Sequence, residues 1–396
     1  MTGRKCLNAE IMNECLREEN VLMAFIVFCL MFLPMKIASS IDTLIYGLVI
    51  VFESLYLIVS SRRAKGARGN DSLLLASALL FIYMVLHFAA DGYKGGERIV
   101  QTALFLLTLL SFSRFNWNIR NVNVLFYIFS ALIICCLAYW MFNGRPTNYF
   151  SAFYGHSNGF AVILIAAISI ALIDARNGIK IRHLIVVLIC LALLLFANSR
   201  SAIFALAVFA ICAVWLSKFK GAHKSIAVRV LFIVVVAGAL LFSVIYPSLY
   251  GTELGSQLEH FSRAYLNKNF FSGRQIVWKM VLNALKGNEV FGLGLNMLPS
   301  MIYKTQFSSH NLYLQTVLQM GLVGLVLLGS ILWALLGKFC LYDGAPQRIG
   351  IALLVAMLVH ECFEVSLTQN NLAFGLFIWA IFGICISLGN SQELGL

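Results

Sequence analysis

The feature that most limits what this chain can fold into is the recurrence of long apolar runs from one end to the other. A run of about 20 apolar residues crosses about 30 Å of hydrocarbon as a helix. With no water to satisfy backbone amides there, a helix is the form such a run takes. Runs fall at 21–35, 41–60, 72–90, 99–113, 123–142, 159–175, 184–198, 201–217, 230–246, 311–337, 349–365 and 372–389. They predict an all-α polytopic integral membrane protein with about 12 transmembrane helices, residues 1–396 forming a single membrane domain. Composition agrees, since 61% of residues are hydrophobic and only 12% charged, against roughly a quarter charged in soluble domains.

The formal net charge of +12 is not striped along one face, as a nucleic-acid site requires, but clustered between runs. Arg62, Arg63, Lys65 and Arg68 form one cluster, Arg114 and Arg120 a second, Arg176, Lys180 and Arg182 a third, and Lys218, Lys220, Lys224 and Arg229 a fourth. All four fall on one side if the N-terminus is cytoplasmic, while the short loops opposite keep only Lys36, Lys94, Arg98, Arg145 and Arg200. The positive-inside rule then predicts that both termini are cytoplasmic. Residues 1–20 are long, polar and mixed in charge, unlike a signal peptide, so the first run reads as a retained anchor. Cys29, Cys135, Cys136, Cys190, Cys212, Cys362 and Cys385 lie inside apolar runs, and no C-x-x-C pair occurs. They read as apolar fillers, with neither a disulfide framework nor a metal site expected.

One long stretch does not suit a bilayer: residues 247–310, an external loop between the ninth and tenth spans. Within it Ser272 is a good helix cap and Gly287 a good stop, predicting a helix over 273–286. Ile276, Val277, Met280, Val281, Ala284 and Leu285 share one face, with Lys279, Asn283 and Lys286 on the other. Trp278 beside the apolar face suggests a helix lying in the membrane interface, with Arg274 at headgroup depth. Phe291-Gly292-Leu293-Gly294 permits a tight turn, read as loop flexibility rather than phosphate binding. Asp42, Glu53 and His87 lie in or at the ends of runs, where ionisable groups snorkel, pair between helices or serve function. Nothing in the pattern assigns a role to His360 or Glu361.

Three residues stand out for chemistry. Arg200, in Asn198-Ser199-Arg200-Ser201, sits in a tight turn between two runs. It is either a snorkelling anchor or a fork for a lipid-linked phosphate. Arg274 offers a second fork at similar depth, and two level arginines suit a pyrophosphate. His310 opens the tenth run; such a histidine is either polar trim or a base able to take a proton from a sugar hydroxyl.

With these residues in view, the sequence resembles the O-antigen ligase and O-antigen polymerase superfamily of bacterial envelope glycan transferases. His310-Asn311, nine residues, then Gly321-Leu322-Val323-Gly324 matches the H-N-x9-G-x-x-G pattern of the ligases. Further matches are the Asn-Ser-Arg-Ser turn, Ser272-Gly273-Arg274 with Trp278, the Phe291 to Gly294 turn, and Gly155-His156-Ser157-Asn158. Together they cover about 155–325. The resemblance implies a GT-C-like bundle in the bacterial inner membrane that transfers a glycan from undecaprenyl pyrophosphate at the periplasmic face, with no cofactor and no metal. It assigns pyrophosphate binding to Arg200 and Arg274 and acceptor activation to His310. His156, Asn158 and Asn311 become candidates to line a substrate groove, Asn158 and Ser157 being equally good helix caps.

A ligase acceptor is a lipid A-core sugar; a polymerase acceptor is a repeat unit on another undecaprenyl carrier. The complete H-N-x9-G-x-x-G pattern and the single dominant external loop favour the ligase. A transporter of lipid-linked oligosaccharide is the reading from another class. It predicts cations deep in several spans, whereas the candidates here cluster at one face.

Overall fold

A computed structural model of the chain describes residues 19–61, 71–267, 269–303, 308–370 and 372–393. The expected polar N-terminal stretch up to residue 18 and the basic loop of Arg62, Arg63, Lys65 and Arg68 lie outside the described residues. The helices are α1 (Glu19–Phe32), α2 (Asp42–Ser61), α3 (Asp71–Ala90), α4 (Gly96–Arg114) and α5 (Ile119–Phe142). Then follow α6 (Ser157–Asp174), α7 (Ile181–Ala197), α8 (Arg200–Leu216), α9 (Gly221–Ser248), α10 (Glu253–Leu266) and α11 (Arg274–Ala284). The last are α12 (Pro299–Tyr303), α13 (Leu312–Cys340), α14 (Ala345–His360) and α15 (Leu372–Glu393).

Each predicted run coincides with a helix, and the chain is an all-α polytopic membrane protein. Among the described residues, 7 helices are long and apolar enough to cross a membrane, and α1, α7, α8 and α14 are shorter apolar helices. Helix ends follow local chemistry. Asn118 caps α5 by accepting from the Asn121 amide at 2.9 Å, and Asn311 caps α13 by accepting from Leu314 at 2.9 Å. Only Asn198 and Ser199 separate α7 from α8, and Asn198 takes the left-handed conformation (φ 53°) that ends a helix abruptly.

Packing sorts the helices by how evenly apolar they are. α6, α14 and α15 are apolar on all sides and almost wholly buried. α15 packs on α4 and α6, α14 on α8 and α15, and α6 on α5 and α7. The surrounding helices turn Leu55, Leu79, Ile134, Leu188, Ile211 and Val234 outward, an apolar belt suited to lipid.

The two glycine motifs meet in one device. Gly321 interrupts α13 with φ 66° and ψ −169°, a conformation nearly reserved for glycine. The break frees backbone groups on both sides, and the 289–294 turn enters it. Leu322 N donates to Glu289 O at 2.9 Å and Val323 N to Val290 O at 3.2 Å, while Leu293 N donates to Leu318 O at 2.8 Å. From α3, Tyr83 Oη donates to Met320 O at 2.7 Å, and His87 Nε2 lies 2.9 Å from Gln319 O. A Cβ on Gly321 would stand 2.1 Å from Val290 O, and one on Gly292 would stand 2.6 Å from Gly321 N. The Phe291 to Gly294 turn is therefore a lock on α13, not the flexible loop expected from its glycines, because close backbone approach is what those positions require.

Candidate functional site

The site forms where the starts of α8, α11 and α13 meet the loop between α14 and α15. Arg200 follows the α7–α8 turn, is exposed, and donates from Nη1 to Asn269 O at 3.3 Å. Arg274 opens α11, its guanidinium 5.8 Å from the Phe363 ring centre and 3.5 Å from Glu364 Oε1. Both arginines line one cavity of about 320 Å³, walled by Phe204, Phe242, Tyr246 and Phe270. The two forks thus share an apolar-walled space, which strengthens their attraction for an anion. Burial lowers the Arg274 guanidinium from its ordinary value, opposed by Glu364 and Tyr246 and reinforced by Arg200.

His310 is held by its neighbours. Ser309 and Asn311 on either side are fully buried, and His310 itself is left-handed at φ 43°. Trp278 Nε1 donates to Ser309 O at 2.7 Å, Ser309 Oγ bonds Gln315 Oε1 at 2.8 Å, and Asn311 Nδ2 donates to Ser243 Oγ at 2.9 Å. The imidazole is thereby presented half-exposed at the start of α13 from a fixed backbone.

Glu364 joins the parts. Its Oε2 lies 3.1 Å from His310 Nδ1, and its Oε1 accepts from Asn158 Nδ2 at 2.6 Å and faces Arg274. Burial alone would raise its carboxyl, yet the hydrogen bond and charge of His310, with His360 and Arg274, hold it below the ordinary carboxylate range. Its loop is stapled by Glu361, whose Oε2 accepts from Ser366 N at 3.0 Å and Leu367 N at 3.3 Å. A carboxylate at Nδ1 keeps the ring proton there and leaves Nε2 as the nitrogen with a lone pair.

The structure brings Arg200 and Arg274 to one cavity and joins Arg274, His310 and Asn158 through Glu364. His156 is exposed at the start of α6. Asn311 is fully buried with its amide spent on the α13 cap, Ser243 and Cys362 O, so it positions the backbone beside His310 and lines no groove. The helix expected in the interface plane is corrected as well. α11 packs its apolar face on α9 and α13, and Trp278 is fully buried, 5.7 Å from the Phe242 ring and 5.2 Å from the Tyr246 ring. Aromatic partners on α9, which no periodicity within α11 reveals, claim the tryptophan. Glu364 was invisible for a related reason: its only sequence signal is an acid at the end of an apolar run.

These features set two guanidiniums on one cavity and link one of them, through Glu364, to a carboxylate-held histidine. Residues 184–329 match the family model described as O-antigen ligase, in keeping with the O-antigen ligase and polymerase superfamily. The match includes Arg200, Arg274 and His310, and it supports a glycosyltransferase-like enzyme of O-antigen biosynthesis, with lipid-linked glycan and lipid acceptor as its general partners. No curated protein matches the chain closely enough to count as a relative.

Proposed function

We propose that the chain is an O-antigen ligase of the bacterial inner membrane, transferring a glycan from undecaprenyl pyrophosphate to a lipid A-core hydroxyl at the periplasmic face. The observation that carries this reading is Glu364, whose carboxylate touches both His310 and the pyrophosphate-binding candidate Arg274. The segment between α9 and α13, which carries α10, α11 and α12, is the periplasmic part. The donor's diphosphate sits between Arg200 and Arg274, and its lipid tail leaves past the apolar wall of the cavity.

The acceptor hydroxyl then attacks the anomeric carbon from the face opposite the diphosphate, inverting it. Its proton passes to His310 Nε2, and Glu364 stabilises the imidazolium that forms. The bond from the anomeric carbon to the phosphate oxygen breaks, and the charge gathered on undecaprenyl pyrophosphate is met by the two guanidiniums. In this reading His156 and Asn158 border the entering sugar, Asn158 also orienting Glu364 through its hydrogen bond to Oε1.

Deletion in the native host followed by a lipopolysaccharide gel tests the assignment. A ligase leaves core without long chains while carrier-linked polymer accumulates. Core bearing a single repeat unit contradicts it and assigns a polymerase instead.

A further inference from the structure

We infer that α10 is a membrane-interface helix, seated by Leu254, Leu258, Phe261 and Tyr265 on the lipid surface beside the arginine cavity. At about 100° per residue, these four fall within an arc of about 60° on one side of the helix. Leu254 is 55% exposed, Phe261 56% and Tyr265 76%, with the Phe261 and Tyr265 rings 4.7 Å apart. Gly255 and Ser262 form the neighbouring face that turns to the protein and are buried, while Glu253, Gln257, His260 and Arg263 occupy the polar remainder. A helix with protein on one side, water on another and an uncovered apolar stripe between them has the section an interfacial helix needs.

Chain continuity names the occupant. α9 is long and apolar enough to span the membrane and ends at Ser248, and Thr252 caps α10 directly after it by accepting from Gly255 N at 3.1 Å. The last turns of α9 expose Leu241, Val244 and Ile245, and Tyr250 follows them at 51% exposed. The stripe on α10 therefore continues the apolar belt at the depth where the span ends, which fits a lipid surface better than a soluble partner. The helix also bears on the site. Glu259 Oε2 accepts from Phe270 N at 2.8 Å and Phe271 N at 3.0 Å, so the Phe270 wall of the cavity is tied to a helix that rides on the membrane.

Photocrosslinking tests this without reference to glycosyl transfer. p-Benzoylphenylalanine is placed in turn at Phe261, Tyr265 and Gln257 of the full chain. Each protein is reconstituted in nanodiscs of phosphatidylethanolamine and phosphatidylglycerol, irradiated, and weighed intact. The expected result is a mass gain of one phospholipid from positions 261 and 265 and none from 257. Two stripe positions keep the result readable if one substitution disturbs the helix. Absence of lipid adducts at both, equal adducts at 257, or crosslinking to a second copy of the chain would overturn the inference.

Discussion

Glu364 is a buried carboxylate with three partners, and removing its charge uncouples a histidine from an arginine that no other described contact joins. Glu364→Gln is expected to lower transfer by roughly tenfold to a hundredfold, the worth of a hydrogen bond to a charged group, measured as initial rate in purified membranes. The effect on stability has a definite sign. Because the native carboxyl lies below its ordinary value, its contribution is fully present above the unfolded value of about 4.3. It is lost as pH falls through the native value. A pH series of thermal midpoints should show this acid loss in the native chain and not in Glu364→Gln. Arg274→Lys keeps the charge but loses the planar fork, and about tenfold or more of the rate should go with it. At this scale Arg200 and His310 were legible in the sequence as polar residues in turns beside apolar runs, and Arg274 as the cation opening an amphipathic helix in the one long stretch unsuited to a bilayer. Glu364 was not, since it pairs with residues 54, 90 and 206 positions away, and such pairing leaves no local pattern.

The helices that coincide with apolar runs were legible, but what each of them faces was not. Trp278 looked interfacial because α11 carries its own amphipathic pattern, yet that face is spent on α9 and α13. The exposed apolar stripe lies instead on α10, a helix that coincides with no apolar run. The glycines of the H-N-x9-G-x-x-G pattern show the same limit. Their spacing was plain, whereas their purpose, a broken α13 filled by the 289–294 turn, needs both segments in place. Gly321→Ala should destabilise the protein by at least about 1–3 kcal/mol, the cost of a non-glycine residue in such a conformation, since its Cβ would also meet Val290 O. A thermal melt in detergent reads this, and a midpoint unchanged from the native chain would show that the lock is not required.

The whole molecule is a helical frame that brings Arg200, Arg274, His310 and Glu364 together from elements far apart in sequence. The proposed topology, with cytoplasmic termini and an external α9–α13 segment, is one that reporter fusions check. A green fluorescent protein at the C-terminus should fluoresce, and alkaline phosphatase fused after Glu253 should be active. In the proposed function the arginine cavity and His310 together transfer a glycan from a lipid pyrophosphate. The most direct measurement uses the purified chain in liposomes, with undecaprenyl-pyrophosphate-linked glycan and lipid A-core on the outer leaflet only. The expected result is glycosylated core with release of undecaprenyl pyrophosphate, reduced about 10²–10⁴-fold in folded His310→Ala. Movement of donor across the bilayer without transfer, or full transfer by His310→Ala, would contradict it.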